Sequence, residues 1–479
     1  MLKISNLHKF KQSNLMPEIP LIDLHLEASS PVPLFEQVYD GLRQRIVSGH
    51  IGAGHRLPPS RKLAQELGVS RTTIVTAYEQ LEAEGFVQGK PGAGVYVTEI
   101  GEVESRSPSP PKPIVKKPTP QSRKAFHPGQ MDERLFPYQK WAQCVSKVAR
   151  TDPKALVMSS DPFGDFELRV EICRYLADWR GVKASPDQVM MTAGSGDALE
   201  MCVRTLLKAG DTLALEDPGY PPLRTFVESY GLKACWLDTD EHGVLPPKTK
   251  VKMTILTPSS HFPLGGALPQ ARRNAFLKWA ARVDSWIIED DYDSEFRYAG
   301  RPIPALASLD TQNRTLYVGS FSKIFSNGLR LGFVVIPKHK IADFAQSLRQ
   351  FGAKASVAPQ RALALFMKNG DFYRHIRRVR RIYGERRTVL MQLIDEHLGD
   401  IGTYEDHRAG MQIAVKLAPG FEDKTIAKVA AEKGVTCFAL STYYASKSPQ
   451  QGLLLGFCSF TEDEMSRAMV TLKTLISRL

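Results

Sequence analysis

Between residues 99 and 125 the chain reads "EIGEVESRSPSPPKPIVKKPTPQSRK", rich in proline, serine and lysine and nearly free of large apolar side chains. A stretch of this kind has little to bury and few regular hydrogen bonds to make, so it is expected to stay extended and solvated as a semi-rigid spacer. That constrains everything else, because 479 residues cannot then share one core. The expected division is an extension over 1–30, a small domain over 31–98, the linker over 99–125 and a large domain over 126–479.

In the small domain, Leu34, Val38, Leu42 and Ile46 recur four apart and predict a helix that ends in the glycine-rich turn at 49–54. "LPPSRKLAQELGVSRTTIVTAYEQLEAEGF" follows. Ser60 is expected to cap a short helix ending at Gly68, and Ser70 a second helix that turns Ile74, Ala77, Tyr78 and Leu81 inward. "FVQGKPGAGVYV" then reads as a β-hairpin. Residues 34–97 resemble the winged helix-turn-helix of GntR-type bacterial repressors. In that geometry the second helix enters the major groove, so Ser70, Arg71, Thr72 and Thr73 are the expected base-edge readers, with Arg61 and the wing residue Lys90 on phosphate or groove. A protein-interaction module with the same packing is the alternative.

Charge alone would not find this domain, because its basic residues are nearly balanced by acids such as Glu36, Asp40, Glu66, Glu79, Glu82 and Glu84. The formal net charge of +12 instead has its largest local source at 338–387, where thirteen Lys and Arg face three acids. Arg374, Arg378 and Arg381 share a helical face there. Either the helix meets acidic neighbours elsewhere in its own domain, or it offers DNA a second surface.

Beyond the linker, "QVMMTAG", "TLALEDPGY", "KMTILTPSS", "SWIIEDDYD", "TLYVGSFSK" and "GFVVIP" are short apolar runs separated by helical segments. The expected fold class is α/β with a largely parallel sheet. Six stretches, "DPFGDFELR", "TAGSGDAL", "EDPGYP", "TPSSHFPLG", "EDDYDSEF" and "GSFSKIFSNGLRLG", resemble the fold-type I aminotransferases from about residue 125 onward. The resemblance implies pyridoxal 5'-phosphate (PLP) held as a Schiff base on Lys323. For its phosphate the chain offers the amides of Ser195 and Gly196 at a helix start, the hydroxyls of Ser320 and Ser322, and Arg330. Asp290 is the expected partner of the ring nitrogen, Tyr292 of the ring's phenolic oxygen, and Tyr220 the residue stacked on its face.

Both halves together resemble the MocR/GabR-like regulators, a GntR subfamily with an aminotransferase-like effector domain. This implies a homodimeric regulator of operator DNA that detects a small amine or amino acid through PLP. An active aminotransferase with a DNA-binding appendage is the alternative, and three departures bear on it. The N-P-x-G motif of aminotransferases reads Phe262-Pro263-Leu264-Gly265, Ser159 stands where a tyrosine is common, and Leu454 replaces the arginine that grips a substrate carboxylate. Arg224 and Arg408 are candidate substitutes. No apolar run approaches the ~20 residues of a membrane helix, the N-terminus lacks a secretory pattern, and the six scattered cysteines have neither disulfide nor zinc spacing. A reduced, cytoplasmic, metal-free protein with no membrane contact is expected.

Overall fold

The computed structural model describes residues 24–99, 125–158, 161–240, 242–445 and 449–479. The expected spacer and Ser159 therefore fall almost wholly outside the described residues. The chain divides into two compact units on either side of residue 120.

In the first unit, α1 (Leu34–Val47), α2 (Ser60–Leu67) and α3 (Arg71–Ala83) precede a hairpin of β1 (Val87–Lys90) and β2 (Gly94–Val97). Val38, Leu42 and Ile46 of α1 pack with Ile74, Ala77 and Leu81 of α3, the four-residue repeat appearing as one buried stripe. Gly68 closes α2 in the left-handed conformation at φ 66°, which costs glycine least. The expected extension is not wholly separate, for Leu24 and Leu26 join this core. Leu24 lies over Gly41, where a Cβ would collide with its Cδ2.

The second unit carries β3 (Val189–Thr192), β4 (Thr212–Glu216), β5 (Lys233–Leu237), a small ribbon of β6 (Thr239–Asp240) and β7 (Gly243–Val244), then β8 (Met253–Leu256), β9 (Trp286–Asp291), β10 (Thr315–Ser320) and β11 (Gly332–Val335). Its seven-stranded sheet has the order β3-β11-β10-β9-β8-β4-β5. Neighbours from β10 to β5 are parallel, whereas β11 runs antiparallel to both β10 and β3. Residues 321–331 between β10 and β11 are fewer than the dozen or more that a parallel crossover needs, so the chain turns straight back. Alternate residues feed the two faces: Met190, Ile288, Val318 and Val334 pack on one side, Met191, Tyr317 and Phe333 on the other. A second sheet orders β12 (Gly402–Tyr404), β13 (Gln412–Leu417), β15 (Gly452–Gly456) and β14 (Phe438–Ala439). Among the described residues no helix is long and apolar enough to cross a membrane.

One close backbone approach sets the geometry of the sheet edge. A Cβ on Gly332 would lie 2.7 Å from the carbonyl carbon of Gly194 and 2.9 Å from its Cα. Backbone cannot swing aside as a side-chain tip can, so Gly332→Ala is expected to destabilise the second unit by about 1–3 kcal/mol. Urea melts should show a lower midpoint, and an unchanged one would contradict this contact.

Candidate functional site

At the start of α3, Ser70 is the N-cap: its Oγ accepts the Thr73 amide at 3.1 Å and lies 2.8 Å from the Thr73 hydroxyl. Thr73 is thereby half-buried and occupied, while Arg61, Ser70, Arg71, Thr72 and Lys90 are exposed. Ser60 is not a cap. Pro59 holds that position and Ser60 is the first helical residue, because proline's fixed φ suits the approach to a helix start. The Ser60 hydroxyl instead accepts from Arg71 Nε at 3.4 Å, which ties the base-reading candidate to the preceding helix. Lys90 lies 5.0 Å from the Tyr96 ring at the base of the wing. Arg56, exposed and paired through its backbone to Tyr96, is a further basic residue beside the wing. The basic "HRLPPSR" just before the helix pair was the signal for it.

In the second unit, parallel strands end along one edge, and the residues after them gather there. Ser320, the last residue of β10, faces Gly332, which faces Thr192 at the end of β3. Asp290 of β9 faces Val318 of β10. After β3 comes Gly194 at φ 102°, and the helix Ser195–Leu206 begins without a side-chain cap. A Cβ on Gly194 or Gly196 would meet nothing within 4 Å, so open space lies before these amides. Ser320 Oγ accepts the Ser322 amide at 3.2 Å. Arg330 is exposed in the same loop at φ 51°, a conformation that costs a non-glycine residue roughly 1–2 kcal/mol.

Lys323 reaches back across the chain to donate from Nζ to the Gly129 carbonyl at 2.6 Å. Gly129, at φ 66°, lies so close that a Cβ there would stand 2.8 Å from that nitrogen and displace it. Burial holds the Lys323 ammonium below the ordinary lysine pKa, opposed by Asp293 and Cys458. A neutral amine, the nucleophilic form, is thus easier to reach. Asp290 has the complementary problem. Its Oδ1 is buried without a hydrogen-bond partner, and burial, reinforced by Asp291 and Glu216, pushes its pKa up to about 7. Neighbouring Asp291 instead pairs with Arg180 at 2.8 Å and accepts the Tyr317 hydroxyl at 2.6 Å. An unpaired carboxyl, an accessible amine and an uncapped helix start on one edge fit a group with a cationic ring, an aldehyde and a phosphate.

The Tyr292 hydroxyl donates to the Ser260 carbonyl at 3.0 Å, so that bond would have to be shared or exchanged for a phenolic oxygen. Tyr220 is 45% exposed, and its ring meets Phe262 edge-on at 5.7 Å. Phe262 also touches Tyr292 and Tyr443, an aromatic hub where the sequence showed only a missing asparagine. Asp293 was overlooked as well. It is buried, its Oδ1 lacks a partner, and its carboxyl pKa is pushed well up by burial and by Asp291. The last acid but one of "EDDYDSEF" was its only signal. Arg224 lies against Trp236 at 5.9 Å, and exposed Arg408 lies 3.8 Å from Asp406. Neither lines the cavity beside Tyr292 or the larger one that shares Leu264 and Ala414 with it. The basic helix Asp371–Leu398 finds acids within its own unit: Arg374 pairs with Asp371, Arg381 with Glu385 and Arg386 with Asp132, each at 2.9 Å. Among the described residues no cluster of His, Cys, Asp and Glu is placed to hold a metal ion.

Residues 34–97 match the family "Bacterial regulatory proteins, gntR family", and residues 131–472 match "Aminotransferase class I and II". The chain is 34% identical to the probable rhizopine catabolism regulatory protein MocR of Rhizobium meliloti, across 94% of this chain and 95% of that one. It is 30% identical to the pyridoxine biosynthesis transcriptional regulator PdxR of Corynebacterium glutamicum, across 97% and 100%. Kynurenine aminotransferase of Pyrococcus horikoshii superposes with a TM-score of 0.68 at 24% identity, over 75% of this chain and 92% of the enzyme. That last likeness concerns fold alone.

Two outcomes test these sites. Arg71→Ala should weaken specific DNA binding by about 1–3 kcal/mol and relax sequence preference; equal weakening on random DNA would make Arg71 a phosphate contact. Asp290 and Glu216, both with pKa pushed up to about 7, retain protons in the folded state that the unfolded chain loses near pH 4. Stability of the cofactor-free protein should therefore fall as pH rises from about 4 to about 7 on their account. Asp290→Asn should flatten that slope in urea melts taken across the range, and an unaltered slope would remove Asp290 as its source.

Proposed function

Because this chain belongs to the MocR-type transcriptional regulators, with a GntR-family winged helix and an aminotransferase class I and II domain, we propose that it binds operator DNA as a cytoplasmic homodimer and senses a small amine or amino acid through PLP on Lys323. The observation that carries the cofactor reading is the unpartnered buried oxygen of Asp290 on the edge that also holds Lys323 and the uncapped helix start. When bound, PLP supplies an aldehyde that condenses with amines. The rest falls to the protein. Asp290 neutralises the ring's cation, Ser195 and Gly196 with Ser320, Ser322 and Arg330 take the phosphate, Tyr220 covers the ring face, and the Gly129 carbonyl orients the Lys323 amine.

Turnover as an aminotransferase is the weaker reading. Phe262 and Leu454 replace the polar residues that such enzymes use on substrate, and Leu454 is fully buried among apolar neighbours. The relatives' printed roles, rhizopine catabolism for one and pyridoxine biosynthesis for the other, differ too much to carry an effector across. For the homodimer, Tyr138, Val157, Met158 and Phe166 leave large apolar side chains exposed, Val157 by 80%, on a short span that a second copy would cover.

Borohydride reduction of the PLP-loaded protein followed by peptide mass analysis should place the adduct on Lys323, and an adduct on another lysine would remove this reading. Lys323→Ala should retain operator binding yet lose the response to amine, because an effector shifts an equilibrium only through a contact that differs between its two states. Gel-shift titrations with and without amine would decide, and a fully responsive variant would make Lys323 dispensable for sensing.

A further inference from the structure

An amino acid brings a carboxylate on the carbon that bears its amine, and a carboxylate enters a protein interior only where a cation or several donors await it. Among the described residues, four cations of this unit are already committed. Arg387 pairs with Asp406, Arg386 with Asp132 at 2.9 Å, Arg180 with Asp291 at 2.8 Å and Lys416 with Glu405 at 2.6 Å. Burial holds His407 below the usual histidine pKa despite Glu405 beside it, so it is neutral at pH 7. Arg297 has no ion pair among the described residues, yet it faces spaces of only about 10 and 40 Å³, the smaller just large enough for one water.

One side of the remaining wall is apolar. Leu440, Tyr443 and Leu454 form a buried cluster against which Phe262, Leu264, Ala414 and Phe438 pack. Leu264 and Ala414 line both the small cavity beside Tyr292 and a second one of about 460 Å³, whose wall also carries Glu216, His261 and Lys416. Leu454 faces Ala414 directly across β13 and β15. Asp293, buried with an unpartnered oxygen, lines the smaller of the two and brings no positive charge to it.

We propose that the effector is a primary amine with an apolar or aromatic substituent and no carboxylate on its amine-bearing carbon, seated against Phe262, Leu264 and Ala414. This deepens the reading of Lys323 as the PLP lysine and rests on it. The incoming amine takes the place of Lys323 on the cofactor's carbonyl carbon and passes its two protons to the departing lysine amine, so atoms balance with no added reagent.

The test uses full-length, PLP-loaded protein and pairs that differ only by the carboxylate: phenethylamine against L-phenylalanine, and isoamylamine against L-leucine. Absorbance of the bound cofactor and the melting temperature are both followed. Each amine is expected to reach half-effect at a concentration about tenfold or more below that of its amino acid. Equal or reversed order overturns the proposal, as does an amino-acid preference that Arg297→Ala abolishes. Leu454→Arg is expected to narrow or invert the preference; if that variant fails to fold, the wild-type pairs still decide. Protein carrying no PLP on Lys323 after reduction overturns the cofactor reading along with this one, whereas PLP on Lys323 with amino-acid preference overturns this proposal alone.

Discussion

A carboxyl without a partner is the constraint on which the second unit depends. Asp290 is the last residue but one of a fully buried strand and has one oxygen unpaired, and an uncompensated buried charge costs several kcal/mol. Nearby acids are treated differently. Glu289 accepts the amides of Leu306 and Ala307 at 2.9 and 2.8 Å, Asp291 has Arg180 and Tyr317, and Glu216 accepts from the Thr257 amide and hydroxyl. The fold therefore satisfies acids at this edge at least in part, Asp291 and Asp293 keeping one unpartnered oxygen each, and leaves Asp290 without a hydrogen bond among the described residues. The cationic ring of the proposed cofactor would supply what the chain withholds.

Topology makes that open position useful. Because β11 turns back beside β10 instead of crossing over, Lys323 lies in the return loop, and Gly332 brings that loop against Gly194 at the helix start. Three features that chemistry needs together, amine, carboxyl and free amides, are thus fixed by backbone contacts and not by long side chains. The two glycines keep them within reach, and the left-handed Arg330 marks where the loop is bent to meet the sheet.

Much of this was legible in sequence because it rests on periodicity and on local chemistry. The stripe of α1, the Ser70 cap and the six strand runs need only neighbouring residues to declare themselves. Ser60 was misread because serine before a helical run has the signature of a cap, and the proline ahead of it had already taken that place. The antiparallel β11 was missed since direction depends on loop length more than on strand composition. Asp293, Gly129 and the Phe262 hub were invisible for another reason: each matters through a residue far away in the chain, as with Gly129 and Lys323.

The same reasoning explains why a cradle can persist while substrate handling does not. Holding a cofactor requires affinity in one state only, and in the proposed reading Asp290, Lys323 and the helix start would provide it without regard to what amine arrives. Turnover asks in addition for polar groups that grip the substrate while protons move, and at those positions the chain has packed Phe262 and Leu454 into an apolar wall. A site that captures an amine and does little more with it leaves the exchange itself as the outcome. Under the proposed exchange, the freed Lys323 amine would meet the Gly129 carbonyl and Asp293, a change in hydrogen bonding and charge within the unit. A regulator requires just such a local difference between two states, whereas an enzyme has to erase it at every cycle.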